Sequence, residues 1–356
     1  MKRFEAFQGL RAVAFVLIFM SHSFTYLSLP MGEHGAIGVS IFFVLSGFLV
    51  ETHYKESRGQ SLLKQGAAYA KRKIGKFYGL HLLLIPVALL PVVARLVMGS
   101  DQYGWTETAL QTLANILLVQ SWIPDPGFYL SLNSVTWYLS ASVFLYFVSP
   151  FLHRFISGIP KKTHKALLLP AVLAVQLALA CVFRTTALAH GFLYVNPLSR
   201  WLDYLAGMVL ASLYKEKVMC IFSGNLAETG AFAALAAVIL VFNRIPPALK
   251  YVALSAPMAW ALVFSFARQK GWISKVLSCR VLTFLGDISF EMFMIHLLVI
   301  RYWGYMLDVV RNILGWEIPG LVSFAGIFAV TVFGAWLVQK AMATMKKKQE
   351  AVHERK

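Results

Sequence analysis

About ten stretches of this chain are each apolar over roughly 20 residues, the length that crosses a bilayer as a helix. They fall near 9–28, 35–53, 77–98, 135–154, 165–184, 198–214, 227–243, 249–267, 282–300 and 319–339. Backbone inside a bilayer must satisfy its own hydrogen bonds, so runs of this kind fold as helices. The expected fold is all-α: a polytopic membrane bundle of about ten transmembrane helices. Composition agrees, with 58% hydrophobic and only 14% charged residues. A soluble domain is about 45–50% apolar and about 25% charged.

The formal net charge of +17 raises a nucleic-acid reading, which the placement of the charge rejects. With the N-terminus in the cytoplasm, the inner segments hold roughly 25 Lys and Arg and the outer ones roughly 6. Both termini are therefore expected in the cytoplasm, and no nucleic-acid partner is expected. Lys2 and Arg3 before an apolar run resemble a signal peptide, but no small-residue cleavage site follows, so the run reads as a retained first helix. Residues 1–345 form one membrane domain in this reading. Residues 346–356 form a short basic tail, expected to be irregular and to meet anionic headgroups. The one long outer segment, 99–134, lacks Lys and Arg and is rich in Trp, Tyr and Pro. Its part from Thr106 to Val119 has helical apolar spacing and is expected to lie on the membrane surface. Cys181, Cys220 and Cys279 are odd in number and widely spaced. They make no metal pattern and no disulfide framework, and inert packing is favoured over a thioester role for Cys220 or Cys279.

The first span reads RAVAFVLIFMSH from Arg11 to His22. Eleven steps at about 100° place both on one helix face, about 16 Å apart along the axis. A snorkelling arginine and a buried histidine would explain them. So would a functional pair, since ionisable groups in a membrane usually face a bundle interior or a wet cavity. In the second span, Gly38, Ser40, Ser46 and Gly47 allow close helix approach. Lys71, Arg72, Lys73 and Lys76 cluster where the chain enters the third span, either as topological anchors or as a phosphate site. Trp122, Tyr129, Trp137 and Tyr138 stand where the outer segment meets the fourth span. They read as an interfacial belt or as a sugar-binding wall, with Asn133 bonding hydroxyls. Arg200 and Asp203, three apart, read as an ion pair or a ligand contact. Ser289 and His296 share a face of the ninth span, and Glu291 lies in the same stretch.

These motifs, in this order, resemble acyltransferase family 3, the integral-membrane O-acyltransferases of surface polysaccharides and other extracytoplasmic acceptors. The resemblance runs from Phe4 to about Tyr302. It rests on Arg11 and His22, on FFVLSGF at Phe42 to Phe48, and on Lys73 and Lys76 before Phe77 and Tyr78. It rests also on the tryptophan motif at Trp137 to Ser140, on Pro197 to Arg200, and on Ile288 to His296. The chain departs from the family's usual residues at Lys73 and Lys76 (arginines), Gly79 (proline) and Ser142 (often glutamate), so no carboxylate role carries over to Ser142.

The resemblance implies a multi-pass protein of a bacterial cytoplasmic membrane, with acyl-CoA, normally acetyl-CoA, as co-substrate and no permanently bound cofactor or metal. The acceptor would be an extracytoplasmic polysaccharide or a lipid-linked sugar. His22 and Arg11 would be catalytic, His22 as base or as acyl carrier. Arg11, Arg72, Lys73 and Lys76 would hold the CoA phosphates. Asn133, Trp137, Ser140, Arg200, Ser289, Glu291 and His296 would contact substrate. The residues alone leave two rivals: a transporter or flippase of lipid-linked sugars, which would tend to show internal repeats that are not seen here, and a structural membrane subunit, which leaves the ionisable groups unexplained.

Overall fold

The structure, a computed structural model, describes residues 3–28, 32–56, 59–218 and 223–353, with side chains as far as Met345. Cys220 lies outside these residues. The described residues form helices and no strand. They are α1 (Glu5–Leu27), α2 (Gly35–His53), α3 (Leu62–Ile74), α4 (Tyr78–Val97), α5 (Trp105–Ile116), α6 (Pro126–Tyr129), α7 (Trp137–Ser157) and α8 (Lys162–Phe183). There follow α9 (Pro197–Lys215), α10 (Asn225–Val241), α11 (Ser255–Phe266), α12 (Trp272–Leu277), α13 (Arg280–Asp287), α14 (Ser289–Leu314) and α15 (Gly320–His353). A π-helical turn at His190–Val195 leads towards α9, and another at Leu249–Leu254 continues into α11.

Among the described residues nine helical segments are long and apolar enough to cross a membrane. The remaining expected span, the one near 198–214, is α9, which carries Arg200 and Asp203 and is buried along nearly its whole length. Polarity thus marks the centre of this bundle rather than its surface. In α2, 78% of the spanning window is buried, against 17% in α8. The molecule is therefore an inner group built on α1, α2, α7, α9 and α11, with α4, α8, α10 and α15 facing the lipid.

Small residues set the central crossing. A Cβ at Gly47 would stand 2.0 Å from the Tyr204 carbonyl of α9, and one at Gly207 would stand 2.1 Å from the Val44 carbonyl of α2. Only glycine on both helices lets the backbones come this close. Buried polar groups then lock the register. Arg200 pairs with Asp203 at 3.1 Å, and Asp203 accepts from Ser40 (2.9 Å) and Gln176 (2.8 Å).

Three expectations need correction. The ninth span begins at Ser289, not near 282, and runs to Leu314; residues 280–287 form the separate α13. A Cβ at Gly286 would stand 2.0 Å from the Gln8 carbonyl, so α13 lies directly on α1. With these bounds His296 lies two turns from the start of its helix. The tail is helical through His353, because α15 continues without a break.

The third correction concerns α5, which does not lie on the membrane surface. Its last residues meet the first turn of α4: Tyr78 Oη donates to the Ile116 carbonyl at 2.8 Å, and the His81 ring bonds the Asn115 carbonyl at 2.8 Å. The segment 99–134 therefore turns back into the bundle alongside α4. Irregular backbone at such depth is tolerated where protein buries it. Here Ser140 Oγ donates to the Leu118 carbonyl (2.7 Å), and Thr136 Oγ1 bonds Asn115 Oδ1 (3.0 Å). Leu118 and Leu132 hold the turns with φ of 55°, a strained conformation for a branched residue.

Candidate active site

Helices α1 and α14 carry the centre of the site as two rungs. Arg11 Nε donates to Ser289 Oγ at 3.1 Å. His22 Nδ1 lies 2.8 Å from His296 Nε2, with the two rings stacked at 5.1 Å. Eleven residues separate the rungs on α1 and seven on α14. The four-residue difference is about 6 Å of helix axis, which the long arginine side chain takes up. The shared face read from the spacing of Arg11 and His22 is therefore the face that meets α14.

A cavity of about 230 Å³ opens on the side of the basic segments. Arg11, Lys73, Ser46, Tyr138, Ser142 and Tyr146 supply its polar groups, and Phe42, Phe77, Phe290 and Phe293 its apolar walls. Lys73 reaches it because α3 packs along α7, placing the ammonium 5.3 Å from the Tyr69 ring centre and 5.8 Å from that of Tyr146. Burial, reinforced by the charges of Lys76 and Arg72, brings Lys73 down to about 8. Arg72 and Lys76 are themselves exposed. Arg72 sits over Tyr69 at 5.1 Å, so of the four clustered cations Lys73 is the one that lines the cavity.

A second cavity, of about 160 Å³, opens at the other end of the bundle. His22, Ser134, Trp137, His190, Tyr194, Tyr251 and Glu33 line it. Its aromatic rings follow one another in contact: Trp137 to Tyr194 (5.0 Å, tilted), Tyr194 to Tyr251 (5.1 Å, tilted), and Tyr251 to His190 (5.5 Å, T-shaped). Glu33 pairs with Lys250 and accepts from Tyr251 Oη. Phe293 borders both cavities and packs against His296 at 5.9 Å.

The structure thus brings together Arg11, His22, Lys73, Trp137, Ser289 and His296 of the residues singled out in the sequence. It leaves others outside the cavities. Asn133 donates to the Met294 carbonyl at 2.8 Å and turns away from the second cavity, which its neighbour Ser134 lines. Ser140 is consumed in holding Leu118 and Ser121 of the re-entrant segment. Arg200 lies one layer behind the aromatic wall, bonded to the Leu193 and Tyr251 carbonyls at 3.1 and 3.0 Å. Glu291 is half-buried beside the Arg11 rung, and its Oε2 has no hydrogen-bond partner. Trp122 packs on Phe144, and Tyr138 lines the basic-side cavity instead. Sequence reasoning missed Glu33, His190, Tyr194 and Tyr251. They lie on three separate connections, and only the fold unites them.

The chain is thus a polytopic bundle with a cationic cavity on one side and an aromatic cavity, lined by His22, on the other, and the two share Phe293. The chain belongs to acyltransferase family 3, whose profile, described as an acyltransferase domain, matches residues 4–340. It is accordingly a membrane acyltransferase, not the transporter that the ionisable residues also allowed. It is similar to "Acyltransferase MdmB" of Streptomyces mycarofaciens, 27% identical over 315 residues that cover 85% of this chain and 77% of that protein. It is similar also to "Putative O-acetyltransferase SACOL0978" of Staphylococcus aureus (strain COL), 24% identical over 356 residues that cover 94% of this chain. The aligned region spans only 56% of that protein's own length. No solved structure matches the chain.

Proposed function

We propose that the protein takes an acetyl group from acetyl-CoA on the cytoplasmic side and transfers it to a hydroxyl of a glycan or glycolipid on the other side of a bacterial cytoplasmic membrane. The observation that carries the reading is the pair of cavities that meet at Phe293, with His22 lining the aromatic one and Arg11 and Lys73 the other. Lys73 and Arg11 supply positive charge on the donor side, suited to phosphate oxygens. The aromatic wall and Glu33 supply stacking faces and hydroxyl acceptors on the acceptor side, suited to a sugar ring. In the reaction His22 removes the hydroxyl proton as the oxygen attacks the thioester carbonyl. The C–O bond forms, the C–S bond breaks, and the proton on His22 passes to the departing CoA thiolate. Products are the O-acetyl ester and free CoA, and neither substrate crosses the membrane whole.

The reading is tested with purified protein in liposomes, supplied with acetyl-CoA and a panel of polyprenol-linked or soluble sugars. O-Acetyl sugar and CoA thiol should appear in equal amounts and fall to background in His22→Gln. Acetyl transfer by His22→Gln at the wild-type rate would remove His22 from the chemistry.

A further inference from the structure

The hydrogen bonds around His296 fix which nitrogen of His22 is basic. His296 Nδ1 lies 2.8 Å from the Phe293 carbonyl oxygen and 3.3 Å from that of Met292. Carbonyl oxygens only accept, so Nδ1 of His296 carries a proton. In the neutral ring Nε2 then has the free lone pair, and it faces Nδ1 of His22 at 2.8 Å. Two lone pairs cannot share that distance, so Nδ1 of His22 is the donor. The remaining nitrogen of His22, Nε2, is left with its own lone pair. Among the described residues His22 has no other hydrogen-bond partner, and its ring lines the second cavity.

From this chain of donors and acceptors we infer that His296 is a positioning residue that holds His22 in the tautomer whose Nε2 is the base. The inference rests on the reading of His22 as the base. His296 is fully buried, fixed at its back by the α14 backbone, and flanked by Phe15 (5.6 Å) and Phe19 (6.5 Å) of α1. A ring so enclosed cannot turn to offer its other nitrogen. Its orientation is therefore set by α14 and passed to His22 through one hydrogen bond, as outer partners of functional histidines commonly do. When His22 takes the hydroxyl proton on Nε2, the bond from Nδ1 to His296 persists, because an imidazolium donates from both nitrogens. His296 thus supports both the neutral and the protonated forms of His22 without changing its own protonation. Without the His296 acceptor, His22 is free to carry its proton on Nε2, where it points a donor at the acceptor hydroxyl and cannot act as base.

The test reads the tautomer directly. In ¹⁵N-histidine-labelled wild-type protein, the signals lost in His22→Gln are those of His22. They should be pyrrole-type for Nδ1 and pyridine-type for Nε2, and His296→Phe should remove that preference. His296→Phe should lower kcat by about 100- to 10,000-fold, the range of a general-base contribution, with an unchanged Kd for CoA. His296→Gln, which restores an acceptor oxygen, should recover at least part of the loss, which a merely space-filling role does not predict. A protonated Nε2 on wild-type His22, or His296→Phe turning over at the wild-type rate, would overturn the inference. Normal turnover by His22→Gln would instead overturn the underlying role of His22, whatever tautomer the spectrum shows.

Discussion

Lys73 offers the most quantitative test of the donor side. Its ammonium lines the basic-side cavity and, through burial and two neighbouring cations, loses its proton near pH 8. A hydrogen bond from a charged group contributes about 1.5–3 kcal/mol, so Lys73→Gln should weaken CoA binding by about 10- to 150-fold. The pH dependence carries the sign. In the proposed donor role Lys73 binds phosphate as a cation, so affinity is expected to be full below pH 8 and to fall as pH rises through that value. The limiting loss is about tenfold per pH unit, because each binding event must then take up one proton. Isothermal titration of CoA into purified protein between pH 7 and 9.5 measures this. Wild type should bend near pH 8. Lys73→Gln should bind weakly without the bend, and Lys73→Arg should bind well without it, since guanidinium stays charged throughout. An unchanged bend in Lys73→Arg would assign it to another group, and unchanged affinity in Lys73→Gln would make the lysine a topological anchor only.

Three further outcomes are expected. Phe293→Ala, which opens the partition between the cavities, should raise acceptor-independent hydrolysis of acetyl-CoA, followed as thiol release without sugar. Trp137→Ala should raise the KM for the acceptor and spare that slow hydrolysis; an effect on the KM for acetyl-CoA alone would place Trp137 on the donor side. Gly47→Val should destabilise the fold by at least about 1–3 kcal/mol, seen as a lower Tm in detergent, since its Cβ would meet the Tyr204 carbonyl at 2.0 Å.

The bundle was legible because each span announces itself by length, and Gly38, Ser40, Ser46 and Gly47 already mark a close crossing. The α1–α14 contact was half legible: the eleven-residue and seven-residue spacings gave the faces, but not that the faces meet. The start of α14 was misplaced because residues 282–285 are as apolar as the span they precede, and the break depends on α13 lying on the α1 backbone at Gly286. The re-entrant course of α5 was hidden for a related reason. Its apolar spacing suits a membrane surface or a bundle wall equally, and only the bonds from Tyr78 and His81 decide. Of the aromatic wall only Trp137 was legible, since Glu33, His190, Tyr194 and Tyr251 are distant from it in sequence and carry no spacing signal. Arg200 was legible in part: its three-residue spacing from Asp203 gave the ion pair, seen at 3.1 Å, but not its bonds to the Leu193 and Tyr251 carbonyls behind the wall.

The central claim is that the two substrates approach the histidine pair from opposite sides. The most direct measurement uses single cysteines at Ser46, in the basic-side cavity, and at Ser134, in the aromatic one, in a background lacking Cys181, Cys220 and Cys279. An impermeant thiol reagent is applied to either side of sealed, oriented vesicles, with and without CoA. Ser46→Cys should react only from the cytoplasmic side and be protected by CoA, while Ser134→Cys should react only from the opposite side and be indifferent to CoA. Labelling of both positions from one side, or equal protection of both by CoA, would contradict the account.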